Sequence, residues 1–229
     1  FADAIDVGIF ILILGGFLNI VTKTGALETG VKVLVQKLKG KELILIPILM
    51  FIFSIGGTTY GMLEETVGFY ALLAATMVVA GMDTIVASAV VLLGAGCGVL
   101  GSTVNPFANG AAIAALPDSV TVNHGVIILI GIALWFVSLA ISIFFVMIYA
   151  GKVQRDKGST FLSLQEQKVM EKRYGKEAKK NSEKAVLTSK QKITLVLFGL
   201  TFLIMIIGFI PYTADVKWLS FSSFLTGEA

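Results

Sequence analysis

The stretch Ser54–Glu65 reads SIGGTTYGMLEE. Paired glycines, paired threonines and two adjacent glutamates interrupt a long oily run. Leu43 to Phe53 before it is solidly apolar, and Thr66 to Ala80 after it is mostly so. Each arm is roughly 11 to 15 residues, and at about 1.5 Å per residue neither crosses a hydrocarbon core of about 30 Å. Two half-length arms breaking at Gly56 and Gly57 predict a re-entrant hairpin over residues 42–82. The exposed backbone of such a hairpin must face protein or a water-filled cavity. The alternative is two full spans with Glu64 and Glu65 in an aqueous loop. Both readings return the chain to the side it came from.

The rest of the chain agrees with a membrane setting. Its 229 residues are 56% hydrophobic and only 14% charged, against about 25% charged in soluble domains. The apolar residues come in blocks near the length that spans a bilayer. The fold class expected is an all-α membrane protein, a helical bundle with a re-entrant hairpin and a discontinuous transmembrane helix. The sole cysteine, Cys97, rules out an internal disulfide and sits in GAGCGVL as a small packing residue. The sole histidine, His124, is placed in a loop and leaves no His-based metal site or Ser-His-Asp arrangement. Neither an enzyme nor a nucleic-acid partner is expected. The chain begins at Phe1 without a basic leader, so no signal peptide is read and a segment of a longer protein is expected.

Residues 1–41 hold one short span, Ile5 to Val21, and then TKTGALETGVKVLVQKLKGKE, where Lys32, Lys37, Lys39 and Lys41 alternate with apolar residues. That pattern suits an amphipathic helix in the membrane interface. Residues 83–123 hold a discontinuous helix: Thr84 to Leu116 as one helix would be about 50 Å long, too long for an untilted span, and the break is supplied by GAGCGVLGSTVNPFANG. Gly94, Gly96, Gly98 and Gly101 loosen the helix. Pro106 lacks a backbone donor and pushes Asn105 out of the helical region. The reading is a helix, an unwound piece at about 101–106, and a short second helix with Asn105 as N-cap and Pro106 at its first position. Residues 124–150 form a full span. Residues 151–192 are a polar loop with 12 Lys and Arg against 5 Asp and Glu. Residues 193–229 hold the last span, with Ser189 as its cap. Basic segments stay in the cytoplasm, which places residues 22–41 and 151–192 there.

Between Leu43 and Gly151 the acidic residues are Glu64, Glu65, Asp83 and Asp118, and there is no Lys or Arg. Asp83 and Asp118 are read as solvated turn residues. Glu64 and Glu65 fall near mid-membrane in the hairpin reading. A carboxylate there costs several kcal/mol or more unless neutralised or paired. A proton, a metal cation, a positively charged substrate or a lysine from elsewhere in a longer protein would serve. The broken helix offers complementary ends: free carbonyls near Gly98 to Gly101 for a cation, and free amides near Phe107 and Ala108 for an anion. Ser102, Thr103 and Asn105 add polar side chains, and Thr58 and Thr59 do so from the hairpin. The competing reading has the glycines as close-packing residues and the hydroxyls bonded to their own helices.

At these residues the sequence resembles a known family. SIGGTTYGMLEETVGFYALL followed by GAGCGVLGSTVNPFANGAA looks like the YfcC branch of the C4-dicarboxylate carrier (DcuC-type) family, within the wider ion transporter superfamily. The resemblance implies a secondary transporter of two inverted repeats, each with a hairpin and a broken helix. It also implies an elevator-like motion of a transport domain against a dimerising scaffold. Carried over, the hairpin tip is Ser54, Gly56, Gly57, Thr58 and Thr59, and the unwound helix is Gly101, Ser102, Thr103, Asn105 and Pro106. A coupling ion would be a proton, or a sodium near Gly57, Thr58, Gly101 and Ser102. One repeat is present here, so half a site is expected. Members are labelled as C4-dicarboxylate carriers or as basic amino acid antiporters. The Glu64–Glu65 pair favours a cationic amino acid such as arginine or ornithine, because a pure dianion carrier would want nearby Lys or Arg. The localisation implied is a prokaryotic plasma membrane, with the lipid bilayer and a small molecule or ion as partners and a homodimer as the full-length assembly. A channel would show continuous polar faces, whereas polarity here is confined to two breaks. A structural subunit would leave both motifs unexplained.

Overall fold

The computed structural model describes residues 2–117, 122–180 and 185–209. Among these, the chain is helical from end to end: α1 Ala2–Lys23, α2 Ala26–Lys37, α3 Glu42–Tyr60, α4 Val67–Val79, α5 Thr84–Gly101, α6 Ala111–Ala114, α7 His124–Arg155, α8 Leu164–Lys180 and α9 Ser189–Phe209. Asp118 and the stretch beyond Phe209 lie outside the described residues, as do the side chains of Glu64 and Pro106.

α3, α5 and α7 are long and apolar enough to cross a membrane, while α4 is a shorter apolar helix. They form one core. Leu45, Leu49, Met50 and Phe53 of α3 meet Leu73 and Met77 of α4, Val86, Val90 and Val91 of α5, and Leu139 and Val146 of α7. α3 and α5 approach closely because glycines line the seam. A Cβ on Gly98 would overlap the Ser54 carbonyl, and one on Gly57 would overlap the Ala95 carbonyl. Gly101 and Gly131 make the same kind of seam between α5 and α7, with the Gly101 carbonyl seated on Gly131. Small residues permit such approach where no hydrophobic effect drives helices together in lipid.

This packing corrects the expected break at Gly56 and Gly57. α3 stays helical through both glycines and both threonines to Tyr60, and ends at Gly61, whose φ is 76°. The first arm is therefore 19 residues, about 28 Å at the helical rise, close to a full hydrocarbon thickness. The second arm is 13 residues, about 20 Å. The intervening turn holds a 3₁₀ segment, Glu64–Thr66. Glycine disfavours a helix by about 1 kcal/mol, but at Gly57 and Gly98 the contact between two backbones outweighs it. α5 likewise persists through Gly94, Gly96 and Gly98 and stops at Gly101.

The open ends of α3 and α4 lie together. Glu42 and Val79 line one groove with Lys37 and Lys39. Asp83, expected in solvent, is only 1% exposed. Its Oδ1 caps α5 by accepting from Val86 N–H at 2.9 Å, and its Oδ2 accepts from the Tyr149 and Thr160 hydroxyls, each at 2.5 Å. Tyr149 lies 66 residues away in sequence, so no local pattern announces it. Residues 151–192 are also more ordered than a polar loop. α7 runs on to Arg155, and α8 begins at a capping box in which Ser163 and Glu166 bond reciprocally. His124 opens α7 rather than sitting in a loop, with Asn123 as cap. At α9 the cap is Thr188, not Ser189, because Thr188 and Gln191 exchange hydrogen bonds at 3.1 and 3.3 Å.

Candidate substrate cavity

The unwound piece after α5 spans residues 102–105. Ser102 ends α5 with φ 38°, a left-handed conformation that non-glycine residues seldom adopt. The segment then runs across the end of α3. The Thr103 amide donates to Thr58 Oγ1 at 3.1 Å, the two hydroxyls are 3.1 Å apart, and the Thr58 carbonyl accepts from the Thr103 hydroxyl and the Val104 amide at 3.3 and 3.4 Å. Thr58 and Thr103 thus join the two motifs directly. Both are buried, so each polar group meets a partner rather than an apolar wall.

Asn105 caps the next helical segment, as its sequence position predicts. Its Oδ1 accepts from the Phe107 amide at 2.9 Å and the Ala108 amide at 3.4 Å, and its Nδ2 donates to Ser102 Oγ at 3.3 Å. The amides expected to be free for an anion are therefore occupied by the cap. Asn109 ties the same loop to the Ser102 and Thr103 carbonyls. Pro106 opens a π-helical turn, Pro106–Gly110.

The remaining hairpin residues have local roles. Ser54 Oγ donates to the Phe51 carbonyl and Thr59 Oγ1 to the Ile55 carbonyl, both within α3. Gly56 and Gly57 are buried helix positions, with Gly57 against α5. The oxygens of the four residues considered for sodium have contacts of their own. The Gly57 carbonyl accepts from Gly61 N–H at 3.0 Å, and the Thr58 carbonyl holds two donors. Ser102 Oγ donates to the Val99 carbonyl, and the Gly101 carbonyl packs on Gly131. No group of three or more His, Cys, Asp or Glu is placed to hold a metal among the described residues.

A cavity of about 580 Å³ opens beside this junction. Asn105, Gly61, Tyr60 and Glu65 form one wall, and Asn19 and Thr22 of α1 form the other. Gly61 is required here twice: by its positive φ, and because a Cβ would stand 3.0 Å from Asn105 Nδ2. Glu65 is the one charged side chain among the described residues that line the cavity. Of the sequence-predicted residues, the structure brings Glu65 and Asn105 to it, with Thr58, Ser102 and Thr103 just behind Asn105 through hydrogen bonds. Ser54, Thr59, Gly56 and Gly57 do not reach it. Asn19 and Thr22 escaped the sequence reading. Their signal is modest: with Gly15 and Leu18 they occupy positions i, i+3, i+4 and i+7 of a helix, one face, and they are polar residues at the end of an apolar run.

The chain matches the family described as "DcuC: C4-dicarboxylate anaerobic carrier" over residues 1–225. It is 33% identical over 158 residues to "Putative basic amino acid antiporter YfcC" of Escherichia coli (strain K12), covering 68% of this chain and 30% of that relative. It is 30% identical over 207 residues to an uncharacterized protein of Haemophilus influenzae (strain ATCC 51907 / DSM 11121 / KW20 / Rd), covering 90% of this chain and 39% of that one. The chain thus spans about a third of the length of the curated relatives it matches. No solved structure matches it significantly. A family match over nearly every residue, joined to an all-helical fold with apolar helices of membrane-crossing length, makes this chain a member of the DcuC family of membrane transporters.

Proposed function

We propose that the full-length protein is an ion-coupled secondary transporter, a symporter or antiporter, for a small carboxylate-bearing solute. The favoured solute is an amino acid with a second positive charge, of the arginine and ornithine kind. One observation carries this reading: Glu65 lines a cavity in which no described Lys or Arg accompanies it. A carboxylate in such a place attracts a cationic group or a proton and repels a dianion. The substrate's cationic end would face Glu65 and its carboxylate the Asn105 side, where the capped amides lie. The coupling ion, sodium or a proton, would be balanced at Glu65 rather than at the Thr58–Ser102 oxygens, which are engaged with one another. The printed name of the Escherichia coli relative points the same way.

The second reading is a C4-dicarboxylate carrier, favoured by the family description. It requires cationic side chains from the part of the protein beyond this chain. In either case the cavity is read as half of a site completed by a second, inverted repeat. The motion proposed is elevator-like, with the helices that share one core moving together. α3, α4, α5 and α7 share one core, while α9 reaches α1 and α3 through the Phe198 ring, stacked on Phe17 at 6.2 Å and edge-on to Tyr60 at 5.8 Å. The setting proposed is the bacterial inner membrane, with a homodimer as the assembly.

The test is a thermal-shift screen of the full-length protein with arginine, ornithine, succinate and fumarate, each with and without sodium. Stabilisation by arginine or ornithine but not by the dicarboxylates is expected. Stabilisation by succinate alone would establish the second reading instead.

A further inference from the structure

A second cavity, of about 570 Å³, lies between α2, α4 and the pair Ala185 and Val186 ahead of α9, at the open end of the hairpin. Its floor is one face of α4: Leu72, Ala75, Thr76 and Val79 fall at i, i+3, i+4 and i+7, a single stripe about 10 Å long. Its rim is basic. Lys32, Lys37 and Lys39 all line it. Lys32 pairs with Glu28 at 2.8 Å, but Lys37 and Lys39 have no ion pair among the described residues. The acidic residue on the rim, Glu42, has its Oε1 engaged by the Gly40 amide at 2.7 Å. Leu72 and Ala75 are buried, while Val79 and Val186 are largely exposed, so the open apolar surface beside the two lysines lies at the Val79 end of α4.

We infer that this groove is a binding site for an anionic phospholipid, with the phosphate on Lys37 and Lys39 and an acyl chain against the exposed Val79 end of α4. Charge and apolar surface meet here in the order that a lipid presents them at the cytoplasmic leaflet. Basic pockets between membrane helices on that side recognise anionic head groups for this reason. A soluble anion would use the rim and leave the apolar floor wet. A neutral lipid would use the floor and leave the lysines without a counter-charge. The groove bridges α2 and α4, so a lipid seated in it would act as a wedge between the amphipathic segment and the hairpin.

The experiment uses the full-length protein in neutral detergent. Native mass spectrometry and thermal unfolding are followed with phosphatidylglycerol, phosphatidylcholine or inorganic phosphate added. Phosphatidylglycerol alone is expected to stay bound and to raise the unfolding temperature. The double variant Lys37→Gln with Lys39→Gln should bind it roughly thirtyfold more weakly, the factor that two surface lysines contribute. Val79→Trp keeps both lysines and fills the groove, and should lose the lipid as well. Equal retention of phosphatidylcholine, an equal shift with inorganic phosphate, or wild-type binding by either variant would each overturn the proposal.

Discussion

At the scale of single residues, two side chains carry the proposed chemistry. Glu65→Gln keeps the shape and removes the charge. Transport by full-length protein in proteoliposomes should fall by about tenfold to a hundredfold, the worth of one charge-assisted contact, while the variant still elutes as a monodisperse species. Undiminished uptake would remove Glu65 from the site. Asn105→Ala should cost about 1 kcal/mol of stability through the lost cap and also weaken substrate binding. Asn105→Asp should restore the cap and the thermal midpoint without restoring affinity, because it adds a negative charge next to Glu65. That split separates a binding role from a capping role. Asn105 was legible because an Asn-Pro pair in an apolar run has few other uses. Asn19 and Thr22 were not, since α1 meets the hairpin only in the folded chain.

At the scale of elements, glycines decide which helices can touch. Gly98→Ala places a methyl on the Ser54 carbonyl, and overpacking of this kind costs typically 1–3 kcal/mol. Gly96 lies two residues earlier, about 200° around the same helix, with nothing within 4 Å of a Cβ. Gly96→Ala should therefore be neutral or gain up to about 1 kcal/mol from helix propensity. Thermal melts of both variants check the pair, and similar midpoints would mean the seam is looser than described. The same contrast explains why a break at Gly56 and Gly57 could not be distinguished from a helix by sequence alone. Local propensity favours the break, and the deciding term is an α5 backbone some 40 residues away. The α8 cap adds a pH effect. Ser163 hydrogen bonds hold the exposed Glu166 carboxyl below its usual range. The cap is thus intact above the ordinary Glu range and is lost as pH falls through the depressed value. Hydrogen-exchange protection in the first turn of α8, taken relative to the intrinsic rate at each pH, should fall only in acid, and Ser163→Ala should shift that fall to higher pH.

At the scale of the whole molecule, the membrane class, most of the helices and the position of the unwound segment could be read from hydropathy and from Pro106. Long-range polar ties could not. Asp83 joins the start of α5, the end of α7 and the loop before α8 through one carboxylate. Asp83→Ala removes a cap and two hydroxyl contacts and should lower stability by about 2–4 kcal/mol. Asp83→Asn, which keeps an acceptor, should lose less, and equal melting of both variants would show that the knot contributes little. The occupied amides at Phe107 and Ala108 bear on the cavity wall itself. With Asn105 Oδ1 accepting from both, this turn satisfies its own donors and does not depend on an occupant of the cavity to hold its shape.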